Sequence, residues 1–280
     1  MVNPAMDGRD HYRLDDSAPE LYQRYLVPAV TALWAADLLA RICLRPGERV
    51  LDVACGTGVV ARGAAELVGA SGYVAAIDVN ASMLEVARRL DPPAGAPIAW
   101  QQASALDLPY EDGSLDVVLC QLGLQFFPDP GAALGQMRRV LVADGRLGLS
   151  VYSAIEHTPA ALALSEALDR RIGDGASRSK RSEHSLADAA ELRRLVADVG
   201  FVDINIATVT KTLRFPSVAD WVHIQLSASP LAKLLNGLDP TRAELVANAI
   251  VADVQDALAP HSGPDGLAFP QEAHVLLAVA

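Results

Sequence analysis

The sequence predicts an α/β fold, a doubly wound and mostly parallel sheet flanked by helices, and three observations carry that reading. Val50 to Ala54 is apolar but for Asp52, and it opens straight into the glycine turn Cys55-Gly56-Thr57-Gly58. A second apolar run, Tyr73 to Asp78, ends in an acid twenty positions after Gly58. From residue 49 to residue 152, short apolar runs alternate with stretches of helical spacing, which is the rhythm of βαβ units around a parallel sheet.

The elements follow in order. Residues 1–18 are polar and read as loose chain. From Pro19 to Cys43, apolar positions such as Leu21, Leu26, Val30, Trp34, Leu38 and Ile42 recur at helical spacing, with Pro28 expected to break or kink the run. Arg45-Pro46-Gly47-Glu48 turns the chain into a strand over 49–54, and a helix follows over 58–68. Next come a strand over 73–78, a helix over 81–90, strands over 98–102 and 115–120, a helix over 131–142 and a strand over 146–152. The second half changes character. Thr158 to Ile172 reads as an amphipathic helix, and the Gly/Ser/Arg-rich stretch 173–185 as a solvated loop. Ala187 to Val199 forms another helix, with Gly200 as its C-cap. Val202 to Leu213 alternates as a strand does, residues 216–259 are helical with interruptions at Pro230 and Pro240, and Leu267 to Ala280 forms the last strand. No internal repeat is visible.

A glycine turn between a strand and a helix lets backbone N–H groups approach a ligand at the helix N-terminus. Gly56-Thr57-Gly58-Val59-Val60-Ala61 fits the G-x-G-x-x-G/A pattern of dinucleotide sites. Asp52 argues against a dinucleotide, because a carboxylate at the end of this strand repels a pyrophosphate. It suits a ligand with an amino group, and S-adenosylmethionine carries both an ammonium and a sulfonium. That methyl donor is the expected cofactor, with Asp52 on its amino group directly or through water. Gly56 and Gly58 supply bare main chain, while Ala54 and Cys55 offer backbone contacts where a larger side chain would obstruct. Cys55 as a nucleophile is the poorer reading, since no general base is spaced to pair with it. Asp78 is placed to accept hydrogen bonds from two ribose hydroxyls; its plain alternative is a helix cap. Val79 and Met83 are placed to pack against the adenine, Met83 serving equally well as core.

Four separated pieces extend the pattern: Val50-Leu51-Asp52-Val53-Ala54-Cys55-Gly56-Thr57-Gly58, Asp78-Val79-Asn80-Ala81-Ser82-Met83-Leu84, Leu108-Pro109-Tyr110 and Asp112-Gly113-Ser114-Leu115-Asp116-Val117-Val118. On these the chain resembles the class I S-adenosylmethionine-dependent methyltransferases, especially the small-molecule enzymes of ubiquinone and menaquinone biosynthesis. The likeness is good over residues 45–152 and loose elsewhere. It implies a Rossmann-like seven-stranded sheet in the order 3-2-1-4-5-7-6, with the final strand antiparallel. It also implies a single methyltransferase domain over 1–280, made of an N-terminal helical lid (1–44), a cofactor-binding core (45–152) and substrate-cap segments (153–185 and 216–265). In that family an acid commonly precedes an alanine before Leu-Pro-Phe and accepts a hydrogen bond from the adenine amino group. Here Ser104 and Ala105 hold those positions, so a hydroxyl replaces the charge and adenine recognition leans on backbone atoms. Ala143-Asp144-Gly145 stands where Pro-Gly-Gly is common, a change of turn alone.

Ligands of doubly wound sheets sit beyond the carboxyl ends of the strands, at the switch in strand order. That rule brings Gln121 near the sulfonium and turns Gln125 toward the acceptor, with Phe126 and Phe127 as core. Tyr22 and Tyr25 are candidates to close over the site and touch the substrate. Of six histidines, His157 follows the strand over 146–152 at its carboxyl edge and is the candidate general base. His223, beside Trp221, is a candidate substrate contact. Each of these also reads as a packing or exposed residue. Methyl transfer is an in-line displacement in which alignment supplies on the order of 7–11 kcal/mol, so a base is needed only for an acceptor such as a hydroxyl.

Composition narrows the partners. The net charge of −11 disfavours nucleic acid, whose phosphates need a clustered basic surface. Three cysteines without CxxC spacing indicate neither a disulfide framework nor a zinc site, and no metal is expected. The polar start excludes a signal peptide, and no apolar run reaches the ~18 residues of a membrane span, so a cytoplasmic protein is expected. The oligomeric state is open, a homodimer being one option. The expected function is methyl transfer from S-adenosylmethionine to a small, largely apolar or aromatic metabolite. A quinone precursor, a polyketide or another aromatic secondary metabolite fits, with O, N or C as the acceptor atom. Two alternatives stand beside it: an NAD(P)-dependent oxidoreductase, on the glycine pattern, and a catalytically silent S-adenosylmethionine-binding protein, on the missing obvious base. Asp78→Ala is expected to weaken S-adenosylmethionine binding by ~1–3 kcal/mol through lost charge-assisted hydrogen bonds; an unchanged calorimetric dissociation constant would count against the ribose assignment.

Overall fold

A computed structural model describes residues 18–229, 231, 234 and 239–280. The loose reading of the N-terminal stretch through residue 17 and the interruption at Pro230 lie outside the described residues.

The glycine turn is framed by two strands and a helix. β1 (Arg49–Val53) pairs in parallel with β2 (Tyr73–Asp78), Val50 opposite Val74 and Val53 opposite Ile77. On its other side β1 pairs in parallel with β4 (Leu115–Gln121), and β3 (Ile98–Gln102) extends the sheet beyond β2. β5 (Leu141–Tyr152) lies parallel to β4. The long β8 (Gly266–Val279) then runs antiparallel to β5 and to β6 (Val202–Phe215). The order is β3-β2-β1-β4-β5-β8-β6, with β7 (Ser262–Gly263) paired to the start of β8. The expected seven-strand order is therefore present with one addition, a two-residue strand hairpinned onto the last one. The crossover where β1 meets β4 is the switch in strand order, and the glycine turn sits at the carboxyl end of β1 beside it.

Successive residues of the central strands face opposite sides, as the two-residue strand period requires. Val50, Val74, Ala76, Val117 and Leu119 belong to one buried cluster, and Leu51, Val53, Ala75, Ile77, Val118 and Cys120 to the other. Both faces are covered, which is why these strands read as nearly unbroken apolar runs. α3 (Val59–Val68), α4 (Ala81–Arg89), α6 (Pro159–Arg171), α9 (Val218–Ala228) and α10 (Pro240–Ala257) contribute to the first cluster. α5 (Pro130–Val140) and α8 (Ala189–Asp198) contribute to the second.

Three departures from the sequence reading have plain causes. Pro28 does not break the first helix: α1 (Ala18–Leu21), a π-helical turn over Tyr22–Thr31 and α2 (Ala32–Ile42) run on as one helix, and the widened turn takes in a residue that lacks an N–H. That continuous helix, Ala18–Ile42, is long and apolar enough to cross a membrane by length and mean hydropathy, 1.4. Here Leu21, Leu26, Val30, Trp34, Leu38 and Ile42 are buried against the protein's own core. The stretch 173–185 is not a solvated loop throughout. It contains the short α7 (Arg178–Ser182), and Ser177, Lys180 and His184 are buried.

Side chains lock the four motif pieces together. Arg49 grips Asp116 with its guanidinium (2.8 and 3.0 Å), joining the feet of β1 and β4. Arg139 donates to the carbonyls of Leu108 and Tyr110 and to Asp112, while Gln136 accepts the Leu108 N–H. Gly58 packs so tightly that an added Cβ would lie 2.2 Å from Trp100 Cη2, and its φ is +89°. Gly58→Ala should therefore cost about 2–4 kcal/mol in chemical denaturation. Gly135→Ala, in α5 with nothing within 4 Å of the added carbon, should be neutral or stabilising by up to ~1 kcal/mol. Equal denaturation midpoints for the two variants would contradict this packing.

Candidate active site

The turn after β1 holds an unusual backbone. Ala54 (φ +57°) and Gly56 (φ +56°) are left-handed, as is Gly58, and so is Leu122 (φ +51°) at the end of β4. Gly123 follows, and a Cβ there would lie 2.9 Å from Ala54 Cβ. The ends of β1 and β4 thus meet through small residues.

Two carboxyl groups organise the turn. Asp78 Oδ2 accepts the Gly56 N–H and Oδ1 accepts the Asn80 N–H, both at 2.8 Å, so the tip of β2 holds the loop after β1. A carboxylate has about four acceptor sites, and these two bonds leave the others open. Asp52 is only 1% exposed. Its Oδ2 accepts the Ala61 N–H at the start of α3, 3.0 Å away. Burial, opposed by that N–H and reinforced by Asp78, pushes the Asp52 carboxyl up to about 8. The sequence reading takes Asp52 as a carboxylate at the strand end; its burial favours the protonated form instead.

The thiol of Cys55 is also pushed up, by burial first and then by Asp52 and Asp78, so it is not a thiolate. Tyr22 stands over the turn, its hydroxyl 3.9 Å from where a Cβ on Gly56 would sit. Burial, eased by Thr31 and reinforced by Asp78, raises that phenol to about 12. Tyr25, three residues on, is half-buried with the Arg24 guanidinium 5.9 Å from its ring centre.

The remaining residues fall into two groups. Val79 is 73% exposed beside Asp78, and Met83 is half-buried on α4. Ser104 is exposed and its hydroxyl accepts the Leu106 N–H at 3.1 Å, a local turn, with Ala105 half-buried next to it. Gln121, at the end of β4, donates to the Thr31 carbonyl at 3.1 Å, which ties the strand to the first helix. Gln125 is buried and donates to the Leu122 carbonyl. Farther out, His157 is 57% exposed and its Nδ1 lies 2.5 Å from Glu272 Oε1. His223 lies half-buried on α9, its carbonyl accepting from Ser227.

A buried polar atom without a hydrogen-bond partner calls for an explanation, and a bound group is one. Thr57 Oγ1, Gln121 Oε1 and Gln125 Oε1 are such atoms, on the turn after β1 and at the end of β4. Thr57 was missed in the sequence because its place inside the glycine pattern is unconstrained. Also missed were Tyr152 and His184, whose rings stack with centroids 5.4 Å apart, and Lys180. The Gly/Ser/Arg composition around His184 and Lys180 mimics solvated chain. Only Leu186, a buried apolar residue just after them, hinted at attachment. Two surface grooves, one lined by Arg62, Arg88 and Trp100 and one by Ser217, Gln255 and Gly263, lie elsewhere and contain none of the residues read from the sequence.

Residues 26–171, a little over half of the chain, match the ubiE/COQ5 methyltransferase family. The ubiquinone/menaquinone biosynthesis C-methyltransferase UbiE of Erwinia tasmaniensis is 33% identical over 183 residues, 60% of this chain and 71% of that one. The chain belongs to the ubiE/COQ5 methyltransferase family. It is thereby a member of the S-adenosylmethionine-dependent methyltransferases. The UbiE enzyme of Hahella chejuensis is 43% identical over 123 residues, covering 43% of this chain and 49% of that one. The chain thus spans about half the length of several of the family relatives it matches. Among solved structures, the YcgJ protein from Bacillus subtilis shares the fold with a TM-score of 0.56, at 17% identity, over 88% of this chain and 98% of that one.

The buried Asp52 makes a sharp prediction. A cation bound beside it favours the ionised carboxylate, so the group lets go of its proton on binding. Calorimetry of S-adenosylmethionine at pH 7, in buffers of different ionisation enthalpy, should show net proton release, and affinity should rise with pH up to about 8. Asp52→Asn should abolish both. Proton-neutral binding by the unaltered protein would remove Asp52 from the cation's surroundings.

Proposed function

We propose that this protein transfers the methyl group of S-adenosylmethionine to a small, largely apolar or aromatic acceptor, of which a quinone precursor is the leading example. The observation that carries this reading is the notch itself. It pairs a left-handed glycine turn with Asp78, whose carboxylate already braces Gly56 and Asn80 and retains acceptor sites for a ribose diol. The orphaned Thr57 and Gln121 oxygens beside it are further polar groups for a ligand to satisfy. The names of the UbiE relatives favour carbon as the acceptor atom.

In this reading the chain's residues divide the work. Asp78 holds the ribose, and the backbone of Ala54, Cys55, Gly56 and Gly58 surrounds the amino-acid end with Asp52 beneath it. Val79 and Met83 flank the adenine, with Ser104 and Ala105 at its edge. When bound, S-adenosylmethionine supplies a methyl group on cationic sulfur, ready for in-line displacement. Gln121 lies at the methyl's end of the notch, and Tyr22 shields it from water, with Tyr25 behind on the same helix. Excluding water strengthens the electrostatic contacts inside and protects the transfer from hydrolysis. Segments 153–185 and 216–265, whose helices α6, α9 and α10 pack on one another, form the cap over the acceptor; His223 lies on it. The acidic surface makes a small molecule a better acceptor than nucleic acid, and we place the protein in the cytoplasm.

Calorimetric titration with S-adenosylmethionine and with NAD, followed by mass spectrometry of a panel of hydroxylated aromatics and quinone precursors, tests this. Micromolar binding of the sulfonium compound and acceptors heavier by one methyl group are expected. Tighter binding of NAD would overturn the reading.

A further inference from the structure

A cluster of buried polar groups lies next to the notch, at the carboxyl ends of β4 and β5. Lys180, only 7% exposed, donates from Nζ to Glu183 Oε2 at 2.8 Å and to Gln225 Oε1 on α9 at 2.9 Å. Its charge is satisfied within the cap. The segment after it carries His184, 9% exposed, whose ring stacks on Tyr152 at the end of β5 with the planes 28° apart. Tyr152 is in turn within electrostatic reach of Tyr22, the side chain over Gly56. The histidine is thus buried beside Tyr152, in whose cluster Tyr22 also packs, whereas His157 is 57% exposed.

The hydrogen bonding fixes the tautomer of His184. Nδ1 lies 2.6 Å from the Ser153 carbonyl oxygen. A carbonyl only accepts, so Nδ1 carries the hydrogen and, in the neutral ring, Nε2 keeps its lone pair. Nε2 has no hydrogen-bond partner among the described residues. Burial lowers the imidazole below its ordinary value. The Ser153 carbonyl pulls the other way, Lys180 adds to the lowering, and Glu183 and Glu156 oppose it; the net direction is down. The ring is neutral at pH 7. Beside it, Ser185 Oγ donates to the Gln125 carbonyl at 3.4 Å, which brings the turn after β4 against the same segment. Gln125 spends its amide N–H on Leu122 and leaves Oε1 buried and unpartnered. Two unengaged acceptors, the imidazole Nε2 and the buried amide oxygen of Gln125, thus lie on adjoining segments, a pair that suits a ligand that donates.

We propose that His184 is the general base of this enzyme, taking through Nε2 the proton of a hydroxyl-bearing aromatic or enolic acceptor that Gln125 helps to hold. The proposal rests on the methyl-transfer reading above. His184 removes the hydroxyl proton. The electron pair left behind, on oxygen or delocalised onto a ring carbon, forms the bond to the methyl carbon as the pair of the carbon–sulfur bond stays on sulfur. Where a ring carbon is methylated, its own hydrogen then leaves as a proton to water and conjugation is restored. The imidazolium returns its proton to solvent with product release. Tyr152 is a positioning residue, keeping the ring in plane by stacking.

Nitrogen NMR of the full chain labelled at histidine reads the proposal without acceptor or cofactor, with His184→Asn used for assignment. The expected spectrum shows His184 with hydrogen on Nδ1, a bare Nε2, and a titration midpoint below the ordinary 6.5. Hydrogen on Nε2 instead, or a ring charged at pH 7, would overturn it. His184→Asn also preserves a donor toward Ser153 while deleting Nε2, so the cap keeps its anchor; His184→Gln serves as a second variant. With catechol, 4-hydroxybenzoate and 2-naphthol as probes, both variants should lose roughly 10²–10⁴-fold in turnover and the acid limb of the pH profile, at unchanged S-adenosylmethionine affinity. Undiminished turnover in both would sink His184 alone. A wild-type protein that fails to bind S-adenosylmethionine would instead sink the methyl-transfer reading, and the proposal with it.

Discussion

The hydrogen bond from Gly56 N–H to Asp78 is the constraint on which the site is built. A turn that exposes main chain to a ligand cannot satisfy its own N–H groups by regular pairing, and a buried N–H left alone is costly. The neighbouring strand solves this by ending in a carboxylate that takes the Gly56 N–H with one oxygen and the Asn80 N–H with the other. The parallel register of β1 and β2 makes the reach possible, since Val53 lies opposite Ile77 and so brings Asp78 level with the start of the loop. Left-handed Ala54, Gly56 and Gly58 then follow as the path the chain must take to stay within that reach.

A second acid works from inside. Asp52 caps the N–H of Ala61 from a position that water scarcely reaches. Burial, more than the charge of Asp78, favours its protonated form.

Side-chain bonds between residues distant in sequence tie the first helix and the later helices to the rest of the fold. Gln121 reaches the Thr31 carbonyl, and the indole N–H of Trp34 donates to Gln271 on β8 at 2.7 Å. Lys180 joins α7 to α9 through Gln225.

The sequence by itself determined the strands and helices of the core, the glycine turn, Asp78 at the tip of β2 and the family to which these belong. Those features are local: an apolar run of strand length, a glycine forced left-handed and an acid at a fixed offset leave their mark within a few residues. Only the tertiary structure decided how Pro28 is absorbed into a widened helical turn, that Asp52 is buried and protonated, and that His184 rather than His157 turns inward. Burial and hydrogen-bond partners come from residues far away in the chain: Ser153 and Tyr152 for His184, Gln225 for Lys180, Glu272 for His157. No pattern around a histidine announces which carbonyl will hold its ring, because that carbonyl is supplied by the folding of another segment.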